Sequence, residues 1–346
     1  MMQSSAPETG VRSPAEVPRI SVVIPVYNAE GLLAECLDAL RKNQDVVYEI
    51  LVVDDGSTDR SRAIAGDHGC KVIASGGRLG PAGARNRGAR EARGDIVFFV
   101  DSDVVVRPDT LARLAAAFED PALDGAIAVQ APAMRFGNIC SRYKNLWMHH
   151  TYARRVGEDV PLFYTTAAAI RRRAFLAAGG FDLNYTNPNV EDTDFGQKLA
   201  RLGYRVRVLP EIEVEHVKGY DLAALLRVDF LRSVALARLK LRKRSDAGAT
   251  NDTSVPTGYI ASVPLALVGA LALLIGLATG SAGFYAASLL ALGIVLFLNG
   301  AFLRLLRVHA GILSWALGCC ILLIELLAAG AGSLVGIATY VAGRKY

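Results

Sequence analysis

The chain is poor in several features that would have placed it quickly. Its five cysteines, Cys36, Cys70, Cys140, Cys319 and Cys320, show neither paired metal-ligand spacing nor an even disulfide framework. A cysteine zinc site and a disulfide-stapled secreted fold are therefore set aside, and a reduced, cytosolic catalytic part is expected. The opening stretch MMQSSAPETGVRSPAEVPR has no apolar core and so no secretory signal. Its Ser, Pro and Glu content predicts a disordered tail over residues 1–19. Basic charge is sparse too. A net charge of +5 on 346 residues is far from the dense basic face of a nucleic-acid binder. Phosphate and nucleophile motifs are also missing: no G-x-G-x-x-G follows the first strand, no Lys-Ser/Thr completes the loop GGRLGPAGARNRG, and no G-x-S-x-G is present. Dehydrogenase, P-loop NTPase and α/β-hydrolase readings fall with them.

The last absence is regional. From Thr257 onward only Arg304, Arg307, Glu325, Arg344 and Lys345 carry charge, although 52% of the whole chain is hydrophobic. Apolar stretches at 260–279, 284–303 and 312–342 approach or exceed the roughly 20 residues a membrane-crossing helix needs. This predicts a transmembrane region over 258–346 with about three spans, or two spans and a re-entrant piece, the third kinked at Gly330, Gly332 or Gly336. Basic residues Arg238, Lys240, Arg242, Lys243 and Arg244 precede the first span, and Arg304 and Arg307 lie between the second and third. They place the N-terminal part on the cytoplasmic side of the cell membrane. Arg344 and Lys345 conflict with an odd number of spans. A linker is expected at 245–257. The segment 221–244 carries Leu222, Leu225, Leu226, Phe230, Leu236 and Leu239 among arginines, which reads as an amphipathic interfacial helix or an ordinary packed one. Glu325 stands in mid-span, where an ionisable group is costly and is either functional or paired within the bundle.

The remainder alternates strand and helix. ISVVIPVYN, YEILVVDDGSTD, KVIASG and DIVFFVDSD read as strands separated by helical segments, which predicts an α/β fold with a mostly parallel, Rossmann-like sheet. Ligands of such sheets bind beyond the carboxyl ends of the strands, where Asp54, Asp55, Asp101 and Asp103 lie. Along an extended chain Asp101 and Asp103 project to one side, and like charges held together call for a cation between them. Capping of the next turn is the plainer explanation.

Taken together, IPVYNAE (24–30), VVDDGSTD (52–59), ARNRG (84–88), VDSD (100–103), GGFD (179–182) and NVEDTDFGQKLARLGYRV (189–206) resemble the inverting, nucleotide-sugar-dependent glycosyltransferases of family 2. The resemblance spans about residues 20–220 and implies a GT-A catalytic domain there. It implies a nucleoside pocket lined by Asn28, Glu30 and Asp55, with Asp55 or Asp54 accepting from the base, unless the Asp-Asp-Gly-Ser run serves only as a turn. Arg85 would meet the pyrophosphate or a base edge. Asp103 would ligate Mg²⁺ or Mn²⁺ directly, with Asp101 on the ribose or in the metal shell. His216 would complete the metal or diphosphate site, or else be a packed structural histidine. Asp192 aligns with the catalytic base and Glu191 is its rival, while Asp194 opens a helix. Gly179 and Gly180 would allow backbone close to the donor sugar. Arg171, Arg172 and Arg173 would form a basic patch near the bilayer or a solvated turn.

The chain departs from the pattern where polysaccharide-building members carry Gln-x-x-Arg-Trp. Here Asp229-Phe230-Leu231-Arg232-Ser233 stands in that place. Arg232 would keep the phosphate contact, but no tryptophan is present to stack on a growing glycan. No span precedes the catalytic part either. Transfer of one sugar from a nucleotide-sugar donor to a membrane lipid, a polyprenyl phosphate or a lipid alcohol, is therefore expected. The alternatives are a processive polysaccharide synthase and a non-catalytic nucleotide-sugar-binding scaffold.

Overall fold

The computed structural model describes residues 18–43, 46–185, 189–243 and 253–346. Most of the expected tail (1–19) and of the expected linker (245–257) lies outside these residues.

Eight strands form one sheet: β1 (Ile20–Val26), β2 (Val47–Asp54), β3 (Lys71–Ala74), β4 (Ile96–Val100), β5 (Val104–Val106), β6 (Gly125–Gln130), β7 (Ala167–Arg171) and β8 (Val206–His216), in the order β3-β2-β1-β4-β7-β6-β8-β5. Pairing is parallel from β3 through β4 and again between β6 and β8. The exception at the centre is β7, antiparallel to both β4 and β6. β4 reads as an unbroken apolar run, and β1 as one interrupted only by Ser21, because both of their faces are covered.

On one face Ile24 and Phe98 pack with Leu33 and Leu37 of α1 (Leu33–Arg41) and Leu111 of α4 (Thr110–Ala117). On the other, Val23 and Phe99 pack with Ala84 of α3 (Gly80–Glu91), Phe175 of α6 (Arg172–Ala177) and Phe195 of α7 (Glu191–Arg201). Phe99, Phe175, Phe181 and Phe195 lie with ring centroids 4.6–5.7 Å apart, within the range that favours aromatic pairs. The short α2 (Ser61–Asp67) completes the first layer.

Three corrections concern the apolar part. Two helices among the described residues are long and apolar enough to cross a membrane, α9 (Thr257–Thr279) and α11 (Gly300–Val341), and α10 (Ala282–Leu298) is a shorter apolar helix. The expected second span thus stops at Leu298 instead of Leu303. Asn299, buried, donates to Ser262 Oγ at 2.8 Å and to the Val295 carbonyl, bringing the end of α10 back to the start of α9. Second, the expected kink at Gly330, Gly332 or Gly336 occurs at Gly311, whose φ of 85° and ψ of 174° interrupt α11. The chain reverses there, so that Leu306 packs on Gly318.

Third, Gly332 and Gly336 serve close packing. A Cβ on either would sit 2.4–2.5 Å from the backbone carbonyl of Phe230 or Val234 in α8 (Leu222–Lys243). Small residues four apart let two helix backbones touch. Hence the apolar stripe of α8 is partly covered, with Leu225 and Leu239 buried, while Leu222 and Leu231 remain exposed. Arg238 holds Thr339 Oγ1 and the Tyr346 carbonyl, which keeps the chain's end beside α8. Arg344 and Lys345 follow directly on this end of α11, beside α8.

Candidate active site

β4 delivers its apolar run to a tight turn. Asp101 N–H donates to the Thr166 carbonyl, and Val104 N–H closes back on the Asp101 carbonyl at 3.1 Å. Asp101 and Asp103 therefore flank a turn, not the extended strand expected from alternation. Register then supplies the histidine. β5 pairs antiparallel with β8 so that Val104 faces His216, and His216 Nε2 lies 3.3 Å from Asp103 Oδ2. Burial raises the Asp103 carboxyl, but the His216 hydrogen bond and charge outweigh it and the net shift is downward. Asp101 moves the other way: burial and the neighbouring Asp103 charge raise it against the pull of Arg85.

Arg85 joins two motifs far apart in sequence. From α3 its guanidinium donates to Asp101 at 2.6 Å and to Glu191 at 3.3 Å. All three groups are largely withdrawn from water. Its Nε is buried without a hydrogen-bond partner among the described residues. The helix that carries it is fixed by Asp55, which accepts from Leu79 N–H and Gly80 N–H at 2.8 Å each, as an anionic side chain does at a helix N-terminus.

Glu191, Asp192 and Asp194 all fall in the first turn of α7, yet they have separate surroundings. Glu191 is held by Arg85 and by Asn189 N–H at 2.7 Å. Asp194 turns away to Tyr185, Arg242 and Lys243. Asp192 lines the cavity and has no cation in hydrogen-bond contact among the described residues, accepting only from Thr193 of its own helix. Burial and then the Glu191 charge push its carboxyl from 3.8 to about 6, with the cations Arg232 and Arg85 opposing. A carboxyl poised near neutrality is suited to accept a proton at working pH.

These side chains line one cavity of about 700 Å³. It takes Asp101, Asp103, Arg85, Glu191, Asp192, His216 and Arg232 from the expected set, and Lys218 as well. Asn28, Glu30, Asp54 and Asp55 are not in its walls. They form a neighbouring loop pair at the carboxyl ends of β1 and β2. Asn28, at φ 50°, accepts from Thr58 N–H, and Glu30 accepts from Arg60 N–H. Asp54 is taken up by Gly56 N–H, Ser57 N–H and Arg62 Nε, so the turn role accounts for it. Gly180 makes its close approach to Asn86, whose Oδ1 a Cβ would meet at 2.4 Å, and not to this cavity. Arg171 and Arg172 donate to backbone carbonyls near Leu123 and Ala89. Arg171 lies opposite Ile96, at the start of β4, so it sits at the sheet end remote from the site.

Lys144 was not singled out by the sequence, and Asp229 only as the residue that stands where polysaccharide-building members carry glutamine. They form a buried ion pair in the cavity wall, joining α5 (Ile139–Ala153) to α8. Glu325 of α11 completes the same wall and accepts from Tyr143 Oη at 2.5 Å, so the mid-span carboxyl is paired.

Among the described residues no three His, Cys, Asp or Glu side chains close a ready-made cation cage. The donors present, two carboxylates and an imidazole beside an open cavity, fit a hard divalent ion that draws further oxygens from a diphosphate.

This arrangement of a mostly parallel sheet, with acidic residues gathered at its carboxyl edge, is the GT-A fold. Residues 21–178 match the family model Glycosyl transferase family 2, and the chain carries a glycosyltransferase domain of that family. Over 205 residues it is 30% identical to an uncharacterized protein of Mycobacterium tuberculosis, covering 53% of this chain and 62% of that one. It is 41% identical over 107 residues to the poly(ribitol-phosphate) beta-glucosyltransferase of Bacillus spizizenii, covering 28% and 16%. The chain thus spans less than two thirds of these curated relatives. Among solved structures it superposes on the mannosyltransferase PcManGT from Pyrobaculum calidifontis, in complex with GDP-Man and Mn²⁺, with a TM-score of 0.64 at 24% identity, covering 88% of this chain and 90% of that one.

Proposed function

We propose that this chain is a metal-dependent, inverting glycosyltransferase of the cell membrane. It carries one sugar from a nucleotide-diphosphate donor to a lipid acceptor, a polyprenyl phosphate or a lipid alcohol. The observation that carries the reading is a shared cavity: Asp101, Asp103, His216 and Asp192 open onto the same space as side chains of α8, α9 and α11. A donor site and an apolar helical region meet there.

In this reading the nucleoside lies over the β1 and β2 loops near Asn28, Glu30 and Asp55. Asp101, Asp103 and His216 hold Mg²⁺ or Mn²⁺, which, when bound, stabilises the charge of the departing diphosphate. Arg85 keeps Asp101 and Glu191 in place and engages Glu191, which leaves Asp192 as the base. Asp192 removes the proton of a hydroxyl acceptor as its oxygen bonds to the anomeric carbon opposite the breaking carbon–phosphate-oxygen bond. A phosphate acceptor already ionised needs this less. Arg232, beside Asp192, balances charge on either. The catalytic domain faces the cytoplasm, with exposed Leu222, Val228 and Leu231 of α8 at the bilayer surface and the helices from α9 onward crossing it more than once.

The test is release of nucleoside diphosphate by the detergent-purified protein, screened over nucleotide sugars with Mn²⁺, with and without polyprenyl phosphate. Release that needs metal and lipid, and is lost in Asp103→Ala, supports the reading. Donor binding without release for any lipid acceptor would instead favour a scaffold.

A further inference from the structure

A second cavity of about 350 Å³ adjoins the first, in the size range of ligand pockets. The two share Ser233, Leu236, Val255 and Tyr259, which form a neck between them. Beyond the neck the walls change character. Leu241 of α8, Ile260, Val263 and Pro264 of α9, and Ala329 and Ile337 of α11 present hydrocarbon. Ala329, Ser333 and Ile337 are four residues apart and so share one face of α11. Ser333 donates its hydroxyl to the Ala329 carbonyl at 2.8 Å, which satisfies that proton within its own helix. Lys240 is the one charged side chain in this wall.

Such a wall selects among occupants. A peptide would bring one N–H and one C=O per residue, and these helix backbones, bonded within themselves except at the Ile260 carbonyl that Pro264 cannot reach, would leave nearly all of them unsatisfied. A nucleotide would lose its water with little in return. A hydrocarbon chain needs no polar partner, and the neck points it at the catalytic carboxylates. Resting on the lipid-acceptor reading above, we propose that this groove holds the acceptor's hydrocarbon tail. The tail lies between α9 and the α8–α11 pair, and its head group passes the Ser233–Tyr259 neck toward Asp192 and Arg232.

The test compares transfer to dimethylallyl phosphate and to a long-chain polyprenyl phosphate in the unaltered protein and in Ser333→Phe and Val263→Trp. The two variants fill the groove from different helices and touch no catalytic group. Losing burial of about two methylenes predicts about a tenfold fall in kcat/KM for the long chain, with the short acceptor unchanged. Equal effects on both acceptors, or none, would overturn the assignment. Where a variant fails to fold, a polyprenyl phosphate with a diazirine at the tail is photolysed on the unaltered protein. Labels on α9 and α11 groove residues support the tail site, and labels confined to α10 refute it. Lipid-dependent release indifferent to chain length removes the tail site alone. No release with either acceptor removes the lipid-transfer reading and the tail site together.

Discussion

Replacing Asp192 by Asn keeps its shape and removes its charge, and the structure sets what should follow. Burial and the Glu191 carboxylate hold the Asp192 carboxyl at about 6 instead of 3.8. Activity that needs the carboxylate is therefore present above about pH 6 and lost below it, with roughly a tenfold fall between pH 7 and pH 5. An acceptor phosphate ionising near 6 adds a limb of its own, so the variant must be compared at every pH. Only the part due to Asp192 disappears in Asp192→Asn, together with about 10²–10⁴ of the rate for a hydroxyl acceptor. Stability should move the opposite way. The folded protein binds this proton more tightly than the unfolded chain does. The associated stability is complete below about pH 4 and is lost as pH rises through about 6. The shift corresponds to on the order of 2–3 kcal/mol, so Asp192→Asn should unfold at higher temperature than the parent at pH 7.5. The assay pairs initial rates of nucleoside diphosphate release, from pH 5 to 8, with thermal unfolding in detergent. A variant as active as the parent on a lipid alcohol, with its acid limb intact, would refute the assignment and move the base to Glu191.

Other perturbations separate the remaining roles. Arg85→Ala leaves Asp101 and Glu191 buried without their shared cation, and should destabilise by about 3–5 kcal/mol, read by thermal unfolding. Arg85→Lys should not restore activity, because one ammonium cannot span two carboxylates as a planar fork does. Gly336→Leu should separate α8 from α11 and lower the unfolding temperature in detergent, since its Cβ would already meet the Val234 carbonyl at 2.5 Å. Chelation with EDTA should abolish release and added Mn²⁺ should restore it, with Asp103→Ala unrescued at the same Mn²⁺ concentration.

Strand ends, helix starts and the apolar tail are local matters, and they were legible. Alternating β and α segments fixed the sheet class, and Asp101 and Asp103 stood out because carboxylates terminate an apolar run there, whereas Asp192 was marked only by the family resemblance. Boundaries in the tail were less so, because apolar composition says how much chain can leave water and not where it bends. Asn299 and Gly311 end and reverse helices through hydrogen bonds and backbone angles that hydropathy does not contain. The amphipathic stripe of α8 had the same ambiguity, since a leucine face suits lipid and another helix equally well. The glycine pair on α11 covers part of that face, and Leu222 and Leu231 stay exposed on the rest.

Side-chain partnership was the domain of the tertiary structure. Asp54 and Asp55 are adjacent in sequence, yet one closes its own turn while the other holds the start of α3. Glu191, Asp192 and Asp194 share a helical turn, but only their three-dimensional neighbours assign one to Arg85, one to the cavity and one to Arg242. Arg85 meets Glu191 across 106 residues, and Lys144 meets Asp229 across 85. Sequence by itself determined which chemistry lies at the strand ends, because residue type and period act locally. Only the fold decided which charges face each other and at what depth, because charge pairing and desolvation depend on distances that the chain closes in space.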